Sequence, residues 1–377
     1  MKNHFFYLLF TAAIFVTSCS PANRGLFVKK TQHEKYAEKL DKSDLDETPE
    51  GKAWLAAARS SLSAPHTIAL PYHQKGVFHA DKPRALGLAF KATRGEKISF
   101  TLTRKVSDQF VVYADLFQPG NEEHKLVLSG DTNTSEFSFD VEESGNYVLR
   151  LQPEINRTGE YELRVSAGPS LAFPVSGTKA SIGSFWGADR DGGKRSHEGI
   201  DIFAPKKTPV IASADGYVTG VREGGIGGKT VWLRVKDKNI TLYYAHLDQQ
   251  LVTEGQYVKK GETLGLVGNT GNAKSTPPHL HFGIYTSHGA ENPLSFVNLT
   301  EKKPTPAPTK NLDRYLKLVK TVKHPDGQSL KANTILVPLA VNAKGYIAEL
   351  SDGQRIIVPF SSVKAEGMVH GRGMVNS

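Results

Sequence analysis

The chain has 377 residues, with 47 Lys and Arg against 38 Asp and Glu for a net charge of +9. That length predicts two or three domains rather than one core. A hydrophobic content of 39% with ordinary glycine and proline (35 and 20) excludes wholesale disorder and fibrous repeats, and the basic balance suits an anionic partner without choosing one. A single cysteine, Cys19, excludes an intrachain disulfide and a cysteine-ligated metal cluster.

In chain order, Lys2, the apolar run over 5–16 and the small residues before Cys19 have the pattern of a secretory signal peptide spanning 1–18. The run is too short for a good membrane span. A lone cysteine directly after small residues at this point resembles a bacterial lipobox. Cys19 is therefore expected to be the lipid-modified first residue of the mature chain, held in a membrane by its acyl chains. This places the protein outside the cytoplasm and turns its charge away from nucleic acid. Ser20, where an acidic residue is absent, points to the outer membrane facing the periplasm.

Residues 19–65 read as a polar tether followed by a short helix, with Thr48 as N-cap, Pro49 at the first helical position, and Trp54, Leu55, Ala58 and Leu62 near one face. Between 66 and 168 the apolar period changes to two, as in the runs 85–90, 97–102, 110–116 and 137–141, which predicts a β-sandwich. Residues 172–298 are again strand-rich, dense in glycine, and hold every suggestive histidine grouping. A proline-rich stretch at 299–311 predicts a stiff linker. Beyond it, 312–366 reads as short strands of a small SH3-like barrel, with a tail at 367–377. The expected class is mainly β throughout.

Three pieces need weighing together: His197-Glu-Gly-Ile-Asp201, Tyr243-Tyr-Ala-His246-Leu247 and His279-Leu-His281-Phe282. Singly each is weak, since a lone strand histidine is usually structural. In an extended strand, residues two apart share a face at roughly 6.5 Å. His279 and His281 then point one way, with Leu280 and Phe282 toward the core, and the same alternation puts Tyr244 beside His246. His197 and Asp201 would lie about 13 Å apart on a straight strand, so a bend is required, which Gly199 permits. A helical His-Glu-x-x-His site is disfavoured, because Asp201 replaces the second histidine and Gly199, the β-branched residues and Pro205 make a poor helix. His197, Asp201 and one histidine of the His-x-His pair would give a divalent ion three ligands. The fourth position stays open, as in catalytic zinc sites, and two imidazoles remain nearby for proton transfer.

From about 174 to 296 these motifs, in this order, resemble the lysostaphin-type (LytM-like) zinc endopeptidases that cut peptide cross-links of peptidoglycan. The resemblance rests on Gly183-Ser-Phe-Trp-Gly187, Arg190, His197-Glu-Gly-Ile-Asp201-Ile-Phe-Ala-Pro205, Tyr244-Ala-His246-Leu247, Val258-Lys-Lys-Gly261-Glu-Thr-Leu-Gly265, Gly268-Asn-Thr-Gly271 and Pro278-His279-Leu-His281-Phe282. It implies an all-β peptidase domain of the duplicated-hybrid-motif, barrel-sandwich kind. It also implies one Zn2+ held by His197, Asp201 and His281, with His246 and His279 as catalytic histidines. Some family members place an oxyanion-binding tyrosine shortly before the first zinc histidine; here Asp191, Gly192 and Gly193 occupy that vicinity, and none is assigned. The implied partners are peptidoglycan stem peptides and their cross-links, and the membrane through Cys19.

Gly224, Gly225, Gly227, Gly228, Gly268 and Gly271 are candidates to line a groove for a thin peptide, or else ordinary turn residues. The sandwich, lying just before the zinc domain, is expected to cover part of that groove. The competing function is a non-catalytic wall-binding lipoprotein that activates other hydrolases, which predicts a damaged metal site. The 255–265 hairpin also resembles biotinyl and lipoyl carriers, but no lysine sits convincingly at an exposed tip.

Overall fold

The structure, a computed structural model, describes residues 30–369 except 106–109, 122, 178, 191, 299–302, 324–326 and 328. The expected signal peptide, Cys19 and most of the tail lie outside the described residues. Among the described residues no helix is long and apolar enough to cross a membrane.

Two helices open the described chain. Pro49–Ser63 starts where the sequence predicts, with the Thr48 hydroxyl accepting from the Gly51 amide at 3.1 Å, and it buries Trp54 and Ala58. A helix at Gln32–Asp41 departs from the tether reading. Its cause is a capping box, in which Thr31 accepts from the Glu34 amide and Glu34 reaches back to the Thr31 amide. The helix docks through aromatic rings: His33 stacks on Trp54 at 4.6 Å, and Tyr36 lies 5.3 Å from Trp54. Burial, with the nearby Arg150 charge, pushes the His33 imidazole down to about 4, so it is neutral where it meets Gln152 Oε1 at 2.7 Å.

Behind these helices two sheets enclose one core that includes Leu88, Phe100, Leu149 and Leu163. One has the order 66–67, 86–92, 145–153, 112–118, 125–129. The other contains 136–140, 96–104, 159–169 and 72–78, and does not stop there, because Tyr72–Phe78 also pairs with Ile335–Asn342 in the register Gln74↔Asn342 and Gly76↔Ala340. The C-terminal strands, 363–366, 315–318, 335–342, 345–349 and 355–358 in spatial order, keep a small core of their own around Leu316, Leu336 and Val358. They are thus not set apart behind a linker. Tyr72–Phe78 is buried along nearly its whole length, and left unpaired it would expose a sheet edge. Arg84 clamps the junction, bonding Glu349 at 3.1 Å and also pairing with Asp81. The described part of the proline-rich stretch docks as well: the Ala307 amide donates to His73 Nδ1 at 2.8 Å.

The remaining unit is an eight-stranded sheet in the order 181–184, 200–203, 279–286, 241–245, 230–235, 216–222, 257–258, with 289–291 alongside 279–286. A three-stranded sheet of 209–211, 263–267 and 247–250 accompanies it. Alternate residues of the large sheet, among them Ile202, Leu233, Leu242, Phe282 and Ile284, fill the core. That leaves the other face for the site. The sandwich meets this unit at its edge, where Arg94 Nε bonds Glu291 Oε2 at 2.7 Å and Gly95 packs on Phe296.

Trp54 is 1% exposed and donates from Nε1 to the Pro153 carbonyl at 2.8 Å. Trp54→Ala is expected to destabilise the sandwich by about 3–5 kcal/mol, read as a lowered midpoint of its transition in urea.

Candidate metal centre

Strand register builds the centre. Ile200–Phe203 pairs antiparallel with His279–Thr286 so that Asp201 stands opposite His281 and Phe203 opposite His279. Residues directly opposite share a face, which brings the carboxylate and the imidazole together. His197 arrives from the preceding turn, its amide bonded to the Ala188 carbonyl at 2.9 Å. Gly199 lies at the expected bend and also provides space: a Cβ there would lie 2.5 Å from the Phe282 carbonyl oxygen and 2.7 Å from His281 Cε1.

His197 Nε2, Asp201 Oδ1 and His281 Nδ1 are each 3.0 Å from the other two. Those separations approximate one face of a coordination tetrahedron around an ion at about 2.0–2.2 Å from each ligand. Two nitrogens and a carboxylate oxygen suit a divalent metal. His197 Nδ1 is committed to the Phe185 carbonyl at 2.8 Å, which fixes the ring with Nε2 toward the cluster. Burial acts to raise the Asp201 pKa, but hydrogen bonds from His197 and His281 prevail and hold the carboxyl well below its usual range.

His246 and His279 lie beside the cluster, their ring centroids 5.0 Å apart and that of His246 6.0 Å from His281. Nδ1 of His246 meets the Thr270 carbonyl and Nδ1 of His279 the Pro277 carbonyl, both at 2.9 Å, so Nε2 is the nitrogen each ring keeps from the backbone. Burial, reinforced by His279 and His281, pushes His246 down to about 4. Simple alternation did not bring it here. Tyr244, expected beside it, is fully buried with its hydroxyl accepting from the Ser213 amide, and it is Tyr243 that faces outward. His246 follows the end of the strand at φ 62°, a left-handed turn that returns its ring to the metal side.

These side chains share a groove of about 800 Å³ whose lining residues all fall within 184–285. Among the described residues the sandwich contributes none to this lining; it docks at the Glu291 edge. Of the six candidate glycines, Gly227 lines the groove. Gly228 and Gly271 let two loops cross, since a Cβ on Gly271 would sit 2.2 Å from the Ile226 carbonyl oxygen.

Arg190, a motif residue with no role expected of it, contacts the cluster directly. Its Nη2 bonds Asp201 Oδ2 and Ser184 Oγ, both at 2.8 Å, occupying the carboxylate oxygen turned from the cluster and steering Oδ1 inward. Only the fold brings Arg190, eleven residues earlier in the chain, onto that oxygen.

Residues 195–293 match Peptidase family M23, and the chain carries an M23 peptidase domain of the LytM/lysostaphin type, mainly β. It is 39% identical over 128 residues to the L-Ala--D-Glu endopeptidase of Bacillus subtilis, covering 31% of this chain and 39% of that protein. It is 37% identical over 99 residues to the peptidoglycan DD-endopeptidase ShyC of Vibrio cholerae, covering 26% and 22%. The catalytic domain of lysostaphin from Staphylococcus simulans is 31% identical, with 31% of this chain and 90% of that one covered and a TM-score of 0.29. The chain thus spans between 21% and 39% of the length of these and similar curated relatives.

If Arg190 orients the carboxylate, Arg190→Ala should weaken the affinity for added Zn2+ by about 10–100-fold, measured by competition with a chromophoric chelator. An unchanged affinity would leave Arg190 without that role.

Proposed function

We propose that the protein is a zinc-dependent endopeptidase that hydrolyses peptide cross-links of peptidoglycan. The observation that carries this reading is the convergence of His197, Asp201 and His281 at mutual distances of 3.0 Å, with two further histidines on the same groove. His197, Asp201 and His281 would hold the Zn2+, and three protein ligands suit a catalytic rather than a closed structural site. When bound, the ion supplies Lewis acidity, activating water near neutral pH and polarising a carbonyl.

The protein's own groups do the rest. His246 and His279, with Nδ1 tied to carbonyls, direct Nε2 at the groove to take a proton from the attacking water and return one to the leaving amine. The backbone bonds fix both tautomers. Arg190 keeps the Asp201 carboxylate in place. The groove admits an extended peptide, and cross-links of small residues fit that shape. The reading places the chain on a membrane through lipidated Cys19, at the outer membrane facing the periplasm. An activator without catalysis would need no complete ligand set, yet His197, Asp201 and His281 stand together.

Purified peptidoglycan incubated with the metal-loaded protein should release fragments whose masses identify the bond cut. Chelation should abolish the release and Zn2+ restore it. His246→Ala should keep its metal while hydrolysis falls by about 10²–10⁴-fold, whereas His281→Ala and Asp201→Ala should lose metal and activity together. Absence of fragments from the wild type at full metal loading would favour the activator. Cys19→Ala should move the protein from the membrane fraction to the soluble one.

A further inference from the structure

The open face of the eight-stranded sheet carries more aromatic surface than the metal cluster uses. Tyr243 pairs with Gly283 on one side and Trp232 on the other. In the next row Tyr285 opposes Thr241, Thr241 opposes Arg234, Arg234 opposes Tyr217, and Tyr217 opposes Tyr257. Paired residues, and residues two apart on a strand, share a face. His281, Tyr243, Trp232, Tyr285, Tyr217 and Tyr257 therefore stand on one side, opposite the core-facing Phe282, Tyr244 and Leu233. The rings form two groups on this face: Tyr243 is 5.8 Å from His281 and Trp232 is 4.3 Å from Tyr243 and 5.4 Å from Tyr285, while Tyr217 is 5.0 Å from Tyr257. Tyr217 and Tyr257 are 52% and 37% exposed, on a face where polar side chains are the norm.

Two arginines accompany the rings. Arg234 stands between Trp232 and Tyr217, its Nη2 donating to Asn239 Oδ1 at 2.7 Å. Arg222 Nε and Trp232 Cδ1 each come within 3.3 Å of where a Cβ of Gly220 would lie, so the glycine gives the guanidinium its place beside the indole.

The row is continuous with the metal groove, which Tyr243 and Tyr285 help to line. From the 279–286 strand to the 257–258 strand it crosses four strand spacings, roughly 19 Å, enough for several sugar rings. A peptide adding to a sheet pairs with a free strand edge, whereas all these rings but Tyr257, which stands on the terminal 257–258 strand, rise from strands paired on both sides. A pyranose ring suits it better. Its C–H face packs on an aromatic ring, while its hydroxyl and acetamido groups meet tyrosine hydroxyls and arginine N–H donors.

Resting on the peptidase reading above, we propose that this aromatic row binds the aminosugar chain of peptidoglycan, holding the strand whose peptides enter the metal groove. The test uses the full chain stripped of metal, so that nothing is hydrolysed, with beads carrying amidase-treated, peptide-free glycan strands and polyglutamate beads as the charge control. The wild type should be retained on glycan at least tenfold better than on polyglutamate. Trp232→Ala and the exposed pair Tyr217→Ala/Tyr257→Ala should each lose at least tenfold. The idea is overturned if the wild type is not retained, if polyglutamate retains it equally, or if the correctly folded tyrosine double variant binds as well as wild type. Retention without hydrolysis by the metal-loaded protein would instead overturn the peptidase reading alone.

Discussion

The antiparallel register between 200–203 and 279–286 is the constraint on which the rest depends. With Asp201 opposite His281, a carboxylate and an imidazole share one side of the sheet, and Leu280 and Phe282 anchor that register because they are fully buried on the other. A slip of one residue would turn the histidines into the core and the apolar residues out. Hydrophobic burial thereby enforces a polar cluster whose burial would be costly without the hydrogen bonds that Asp201 takes from His197 and His281.

The surroundings spare the cluster further adjustment. Backbone carbonyls hold three imidazoles by Nδ1, those of His197, His246 and His279, and a guanidinium holds the carboxylate. Side chains fixed in advance lose little freedom when a ligand arrives, the condition for a preorganised site. The match of residues 195–293 to Peptidase family M23 agrees with this architecture, while the role of each side chain belongs to the proposed mechanism.

Much of this was legible in the sequence, and its limits have physical causes. The His-x-His spacing showed directly that His279 and His281 share a face, because period two is a property of any strand. The same alternation put Tyr244 beside His246, and only the resemblance placed His246 near the metal; it arrives there through a left-handed residue after the strand ends, and local pattern does not announce such a turn. The Gln32–Asp41 helix escaped because it docks through His33 and Tyr36 rather than through an aliphatic stripe. Most distant of all is the pairing of Gln74 with Asn342; each strand shows its own apolar character, but nothing local says which strand will lie beside it.

That pairing also ties the two ends of the described chain into one body. A β-ladder resists sliding far better than a flexible tether does, so the flanking strands should move together as one rigid unit rather than as two loosely linked ones. Cutting away the last strands would leave Tyr72–Phe78 with a naked hydrogen-bonding edge, inviting molecules to zip together there.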